Sequence, residues 1–337
     1  MRRRLGQMAR FAGALVGVAL TGWIALKSDR AVLAESARAA LPVLPIGVLL
    51  ELVKIGCEAV ATRRALGAAG RRIPWRALYS THVVSTAVGT VLPLPRPASE
   101  ATKASLLLPW VALAESTSSG ATMQAATFVC MGTMSLVCAA ALEGTMRLAL
   151  LGNAVFLLTL GVGIRALIRS RKIADFLARR FPARAESIER FHATSTTGHL
   201  VPWAPSAALI VGVCFQIVEV TIVAWAVGVT PRVRGSLAAF GIHLLTASAA
   251  VLVPGQLGAR EAAFSYSAEI LGTSPTRAAA IALFWHLSQL VVSGLGFAVL
   301  ALGPRGGAPV TSAGGATAPD AEAPDKPERS PSVESDR

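Results

Sequence analysis

The chain has 337 residues, of which 53% are hydrophobic and only 15% charged, with a formal net charge of +13 and a mean hydropathy of +0.57. Soluble domains carry about 25% charged residues, so this composition excludes an ordinary water-soluble domain and points to a chain solvated mainly by lipid. The positive charge is sorted into blocks and does not interleave with aromatics on a soluble module, which argues against nucleic acid as a partner and for loops facing anionic headgroups.

In chain order, the sequence predicts six full spans, at about residues 11–26, 41–62, 117–141, 147–168, 203–227 and 278–302. Most reach the length of about 20 residues that crosses a hydrocarbon core of roughly 30 Å. The first is short and follows Met1-Arg2-Arg3-Arg4. It reads as a retained anchor rather than a cleaved signal peptide, because no small-x-small site directly follows the apolar run. Two further apolar regions are interrupted. Residues 77–92 and 101–115 flank the turn-rich segment 93–100, and residues 237–253 and 262–272 flank 254–261. As helices, the arms of the first would reach only about 22–24 Å at 1.5 Å per residue. Short arms around a broken tip predict re-entrant helical hairpins, whose irregular backbone survives at membrane depth only where protein or a hydrated cavity satisfies it. Residues 169–190, rich in Arg with interspersed Ile, Phe and Leu, predict an interfacial helix between the halves. Residues 303–337 are too polar to pack and read as a disordered tail behind a transmembrane domain of residues 1–302.

Orientation follows from the basic residues. Residues 1–10, 63–76 and 165–190 hold 17 Lys and Arg, whereas the alternate connections 27–40, 142–147, 228–236 and 273–277 hold 7. The positive-inside rule places the first set, and with it both termini, in the cytoplasm.

A duplication underlies this layout. His82, Pro93 and Glu100 recur as His243, Pro254 and Glu261 at an offset of 161 residues, and Glu58 and Gly67 recur as Glu219 and Gly228. Chance seldom aligns His, Pro and two Glu without a gap. The offset carries span 41–62 onto 203–227 and span 117–141 onto 278–302, each running the opposite way. The expected fold is therefore an all-α polytopic membrane protein in which six transmembrane helices and two re-entrant hairpins form an inverted-topology repeat, repeat one at about 11–141 and repeat two at about 147–302.

The polar residues of this frame are the candidate site. Glu100 and Glu261 lie at the hairpin tips, where an unpaired acid costs several kcal/mol. One reading makes them structural ion pairs that lock the hairpins. The other makes a central substrate site in which Arg96, Lys103 and Arg260 hold a phosphate while Glu100 and Glu261 balance charge. Pro93, Pro254, Gly255 and Gly258 would shape the tips. Glu58, Glu219, His82 and His243 are candidates to line a hydrated pathway or relay protons; the plainer reading is a paired polar stripe, with the histidines bonding the hairpin bases. Glu51, Lys54 and Glu58 share a helical face, and Lys54–Glu58 has ion-pair spacing. His286, with no partner in the other half, reads as interfacial or packed. Gly294/Gly296 and Gly161/Gly163 read as close helix contacts. Cys57, Cys130, Cys138 and Cys214 lie in apolar segments without CxxC or CxxH spacing and read as packing thiols rather than metal ligands or disulfides. No HExxH, Walker or GxSxG motif is present, so neither cofactor nor metal nor catalytic residue is expected.

With the two Pro-x6-Glu hairpins in hand, the chain resembles the flippase-like transmembrane domain of the lysylphosphatidylglycerol synthases, in the form of a stand-alone member. The resemblance rests on the segment Pro254-Gly255-Gln256-Leu257-Gly258-Ala259-Arg260-Glu261, and in the first half on Pro93, Arg96 and Glu100, with Ser99 where the family carries glycine. It covers about residues 10–302. It implies a multi-pass protein of the bacterial inner membrane that moves an anionic or phosphate-bearing lipid between leaflets, without catalysis. Two other classes stay open. One is a membrane-embedded enzyme acting on a lipid phosphate; the other is a non-transporting subunit beside a lipid-synthesis partner protein. The sequence leaves the oligomeric state open.

Overall fold

The computed structural model describes residues 29–92, 95–230, 232–249, 256 and 258–302. The apolar segment at 11–26, the tip residues Pro93, Pro254 and Gly255, and the tail from 303 lie outside the described residues. The described elements are helices: α1 (Arg30–Ala40), α2 (Leu44–Ala65), α3 (Trp75–Val91), α4 (Pro95–Leu107), α5 (Leu113–Ala141), α6 (Gly144–Ile168), α7 (Arg171–Arg180), α8 (Ala185–Ser195), α9 (Trp203–Ala226), α10 (Val233–Ala249), α11 (Ala259–Tyr266) and α12 (Pro275–Leu302). Among the described residues, five stretches are long and apolar enough to cross a membrane: Arg30–Ala65, α5, α6, α9 and α12.

Within the segment 27–40, expected as a connection, Arg30–Ala40 is helical. Asp29 caps α1 by accepting from the amides of Ala31 and Val32 at 2.9 and 3.3 Å. Pro42 and Pro45 do not end the helical run, because each sits at the start of an element, Pro42 in the 3-10 turn Leu41–Val43 and Pro45 in the first turn of α2, where its missing N–H costs nothing. A second correction concerns 169–190, which is two helices and not one. Pro182 biases Phe181 away from helical geometry, and α7 and α8 meet at a 3-10 turn over Pro182–Arg184. Phe176 and Phe181 stay exposed there, as an interfacial segment requires.

The duplication is visible element by element: α2 matches α9, α3 matches α10, α4 matches α11 and α5 matches α12. The agreement reaches single hydrogen bonds. α2 ends with Leu66 N–H donating to Thr62 O and Gly67 N–H to Arg64 O; α9 ends with Val227 N–H donating to Val223 O and Gly228 N–H to Trp225 O. Gly67 and Gly228 take φ of +58° and +83°, a left-handed stop that favours glycine.

α2 and α9 pack against each other with their numbering opposed. Gly212 meets Lys54 and Cys57, Gln216 reaches Glu51, and Glu219 lies against Gly47. These two matched helices are therefore antiparallel, about a pseudo-twofold near Val53 and Cys214. Cys214 is exposed on the outer face of the bundle, unlike the packed thiol expected, while Cys130 and Cys138 are buried. Each hairpin is shared between repeats: α3 packs on α12 and α10 on α5, whereas α4 packs on α5 and α11 on α12.

Lipid gives helices no hydrophobic reason to associate, so small residues set the close approaches. A side chain at Gly296 would come within 2.5 Å of the Val83 carbonyl on α3, and one at Gly161 within 3.0 Å of the Ala125 carbonyl on α5. Their neighbours Gly294 and Gly163 face open space, so only one glycine of each expected pair is a contact. The main core joins Met123 and Cys130 of α5, Val213 and Val220 of α9, Phe240 of α10, Phe264 of α11 and Trp285 of α12.

The loops sort to two ends. At one, Asp29 N–H reaches Thr276 and Arg234 pairs with Glu143. At the other, Ser195 bonds Ser118, and Arg165 donates to Thr122 and to the Thr197 carbonyl. The first end gathers connections with few basic residues and the second holds the Arg-rich segment 165–190, while residues 1–10 lie outside the described residues.

Candidate functional site

Two helical turns of α2 carry the spine of the site. Glu51, Lys54 and Glu58 recur at i, i+3 and i+7, so helical geometry stacks them on one face over roughly 10 Å. Lys54 Nζ pairs with Glu51 Oε2 at 3.0 Å, which corrects the expected Lys54–Glu58 pair. Arg96 competes for Glu58: its Nη1 lies 3.8 Å from Glu58 Oε1.

Glu51 is 2% exposed and gathers donors from three helices. Besides Lys54, Gln289 Nε2 of α12 donates to its Oε1 at 2.9 Å and Gln216 Nε2 of α9 at 3.3 Å. Gln289 turns its other end to the second hairpin, where its Oε1 accepts from Arg260 Nη1 at 3.1 Å. Arg260 Nη2 donates to Gln256 Oε1 at 3.4 Å, and the guanidinium lies 5.1 Å over the Trp285 ring. Arg260 thus engages α12 and Gln256 rather than its neighbour Glu261. Glu261 Oε1 sits 3.2 Å from His286 Nδ1, so His286, expected as interfacial or packed, is the partner of the second hairpin acid. His243 stands against Trp285 with ring centroids 4.6 Å apart.

The first hairpin closes the other side of the spine. His82 Nε2 and Thr62 Oγ1 are 2.9 Å apart, while its Nδ1 is 3.9 Å from Glu58 Oε2, beyond hydrogen-bond reach. Lys103 Nζ pairs with Glu100 Oε1 at 2.6 Å, and Glu100 rests against α5 at Gly120. A cavity of about 10 Å³ between Lys54, Glu58, Arg96 and Gln216 has room for a single water. Gly258, at φ +75°, precedes α11 as its N-cap and lets the chain turn into the helix that carries Arg260 and Glu261.

The structure thus brings the sequence candidates into one tract. Glu58, His82, Arg96, Glu100 and Lys103 form one lobe; Glu219, His243, Arg260 and Glu261 form the other; Glu51 and Lys54 join them. Glu58, His82 and Glu100 recur between repeats as Glu219, His243 and Glu261, whereas Glu51 falls on Gly212 and the cations do not recur: Arg96, Lys103 and Lys54 correspond at the offset to Leu257, Phe264 and Phe215, and Arg260 to Ser99. Glu219 differs from its counterpart Glu58. It is 0% exposed, is lodged between Gly47 and Ser288, and has neither oxygen hydrogen-bonded. Seven of the nine buried side-chain polar atoms without a partner among the described residues lie in this tract, on His82, Glu219, His243, Arg260, Glu261 and Trp285. Buried polar atoms are normally satisfied, so the tract holds unspent hydrogen-bonding capacity.

Gln289 and Trp285 escaped the sequence reading. Gln289 is a lone amide in an apolar span, a signal that was there to be used; the ring beneath Arg260 was not, since an aromatic within a span reads as core.

A helical bundle with several membrane-crossing helices and a buried charged tract between duplicated halves defines a polytopic membrane protein. A family profile described as the lysylphosphatidylglycerol synthase TM region matches residues 10–296 of the 337. The chain belongs to that family. No curated protein and no solved structure matches it.

Proposed function

We propose that the protein is a flippase that moves an anionic or phosphate-bearing lipid between the leaflets of the bacterial inner membrane. The observation that carries this reading is the buried tract, which runs through both hairpins and keeps partnerless donors and acceptors at its centre. In this reading the pairs α3/α4 and α10/α11 are re-entrant hairpins that enter from opposite sides, and six spans surround them. Arg96, Lys103 and Arg260 hold the headgroup, Glu100 and Glu261 balance its charge, and Glu58, His82, Glu219 and His243 line the path. Rocking of one repeat against the other then exposes the tract to each leaflet in turn.

Reconstituted vesicles test this. Headgroup-labelled phosphatidylglycerol should cross faster in vesicles containing the protein than in empty ones, and equal rates would refute the reading. Topology is checked separately. Cysteines introduced beside Gly67 and beside Gly228, in a chain without native thiols, should react with impermeant reagent from opposite sides, the Gly67 site from the cytoplasm. Labelling of both from one side would remove the inverted arrangement.

A second reading draws on one contact. Glu261 and His286 at 3.2 Å form an acid–base pair of the kind that a membrane-embedded enzyme acting on a lipid phosphate needs. Loss of phosphate or headgroup from the labelled lipid in the same vesicles would favour it.

A further inference from the structure

The end of the bundle that carries few basic residues holds a chamber of about 710 Å³, opening between α9, α10 and α12. That volume is in the range of small-molecule sites. Its mouth carries Arg232, Arg234 and Arg277, with Glu143 and Glu269 also on the wall. Arg234 pairs with Glu143 at 3.2 Å. Among the described residues, Arg232 and Arg277 make no ion pair. The floor is apolar, made by Val220, Ala224 and Ile281. Val220 directly follows Glu219, and Ile281 stands one helical turn before Trp285, so the floor ends just above the central tract.

The repeat explains why the chamber exists. At the matching place in repeat one, Ala59, Ile73, Leu78, Leu107 and Val111 pack into a closed apolar cluster. Shifted by 161, they become Val220, Arg234, Ala239, Ala268 and Gly272. All but Ala268 line the chamber. Among the positions that line it, leucine has become alanine at 239, valine has become glycine at 272 and isoleucine has become Arg234, paired with Glu143, while on the floor Ala59 is replaced by the larger Val220. The space is therefore written into the sequence of repeat two and not only into one conformation of it.

We propose that this chamber is a binding site for a phosphate-bearing anionic amphiphile, its headgroup at Arg232 and Arg277 and its adjoining apolar part against Val220, Ala224 and Ile281. Guanidinium groups match the oxygens of a phosphate in planar, two-point fashion. An apolar floor beneath a cationic rim selects a molecule with both characters over a free ion. The site deepens the lipid-transfer reading and rests on it for its role: it is the place where the lipid waits on one side, one turn from the tract.

Calorimetry on the full chain in nonionic detergent tests it, with short-chain phosphatidylglycerol and inorganic phosphate as separate probes. The lipid should bind at least about tenfold more tightly than inorganic phosphate. Ala239→Leu, which restores the repeat-one residue, should weaken lipid binding by about tenfold or more, and Arg277→Gln by about fivefold or more. If Ala239→Leu does not fold, the half-exposed Arg277→Gln decides alone. Unchanged lipid affinity in the folded variants, or inorganic phosphate binding as tightly as the lipid, overturns the proposal. Transfer by the wild-type protein, read beside binding, separates the two readings. If wild-type vesicles move no lipid while binding persists and still depends on Ala239 and Arg277, the flippase reading falls and the site stands. If transfer is normal and binding ignores both residues, the reverse holds.

Discussion

Arg260→Ala is expected to slow lipid transfer in reconstituted vesicles by at least about tenfold, the factor that 1.4 kcal/mol commands. Arg260 is 4% exposed on α11, held by Gln289 and Gln256 and lying over Trp285. A guanidinium at membrane depth costs about 2.5–3.5 kcal/mol on insertion scales, so packing alone would favour an apolar residue in its place. Its Nε has no partner, which leaves one face of the fork for a ligand. Arg260→Lys should keep the charge yet recover only part of the rate, because an ammonium cannot grip two oxygens in one plane. Exchanging Arg260 and Glu261 should rescue neither, since Glu261 is already engaged by His286 at 3.2 Å. Melting of each variant, measured beside transfer, separates scaffold from site. A defect that follows lost stability throughout would assign Arg260 to the scaffold.

Gly296→Leu should be the most damaging single substitution outside the tract. A Cβ there would lie 2.5 Å from the Val83 carbonyl oxygen and 2.7 Å from Ala87 Cβ. Both atoms belong to the α3 helix, so neither can swing aside as a flexible side-chain end would. Overpacking of this kind costs about 1–3 kcal/mol, occasionally more. The shift would travel, because α12 also presents Ser293 to Thr90, Gln289 to Glu51 and His286 to Glu261. Transfer should fall together with the melting temperature. Gly294→Ala is the control: that position faces open space, and alanine is the better helix former by about 1 kcal/mol. It should leave the protein as stable as before or slightly more so. Equal melting of Gly296→Leu and wild type would show that α3 and α12 are not locked at this contact.

The frame of the protein was legible because it depends on local pattern. Apolar length placed the spans, and the recurrence of Glu58, Gly67 and His82 at Glu219, Gly228 and His243 fixed which elements match. The partners were not legible. Lys54 can reach Glu51 or Glu58 equally well along α2, and Arg96, from another helix, decides between them. Arg260 beside Glu261 suggests a pair, but consecutive helical residues point about 100° apart, which sends one to Gln289 and the other to His286. The break between α7 and α8 is readable at Pro182, which the mixture of Arg with Ile, Phe and Leu running across it conceals. The chamber could not be seen at all until equivalent positions were compared for size, because no one residue among Ala239, Ala268 and Gly272 signals a void.

The matched ends of α2 and α9 make the pair a ruler. With 22 and 24 residues, the two helices measure about 33 and 36 Å at 1.5 Å per residue, slightly more than the roughly 30 Å of a bilayer core. Each stops at the same glycine cap, and because the helices are antiparallel the two stops lie at opposite ends of the pair, which in the proposed inverted arrangement are opposite membrane surfaces. A thinner or thicker bilayer therefore meets the same gauge from above and below and tilts the pair as one body. The register between Glu51 and Gln216 is not sheared, so membranes of different thickness would carry the tract with its geometry intact.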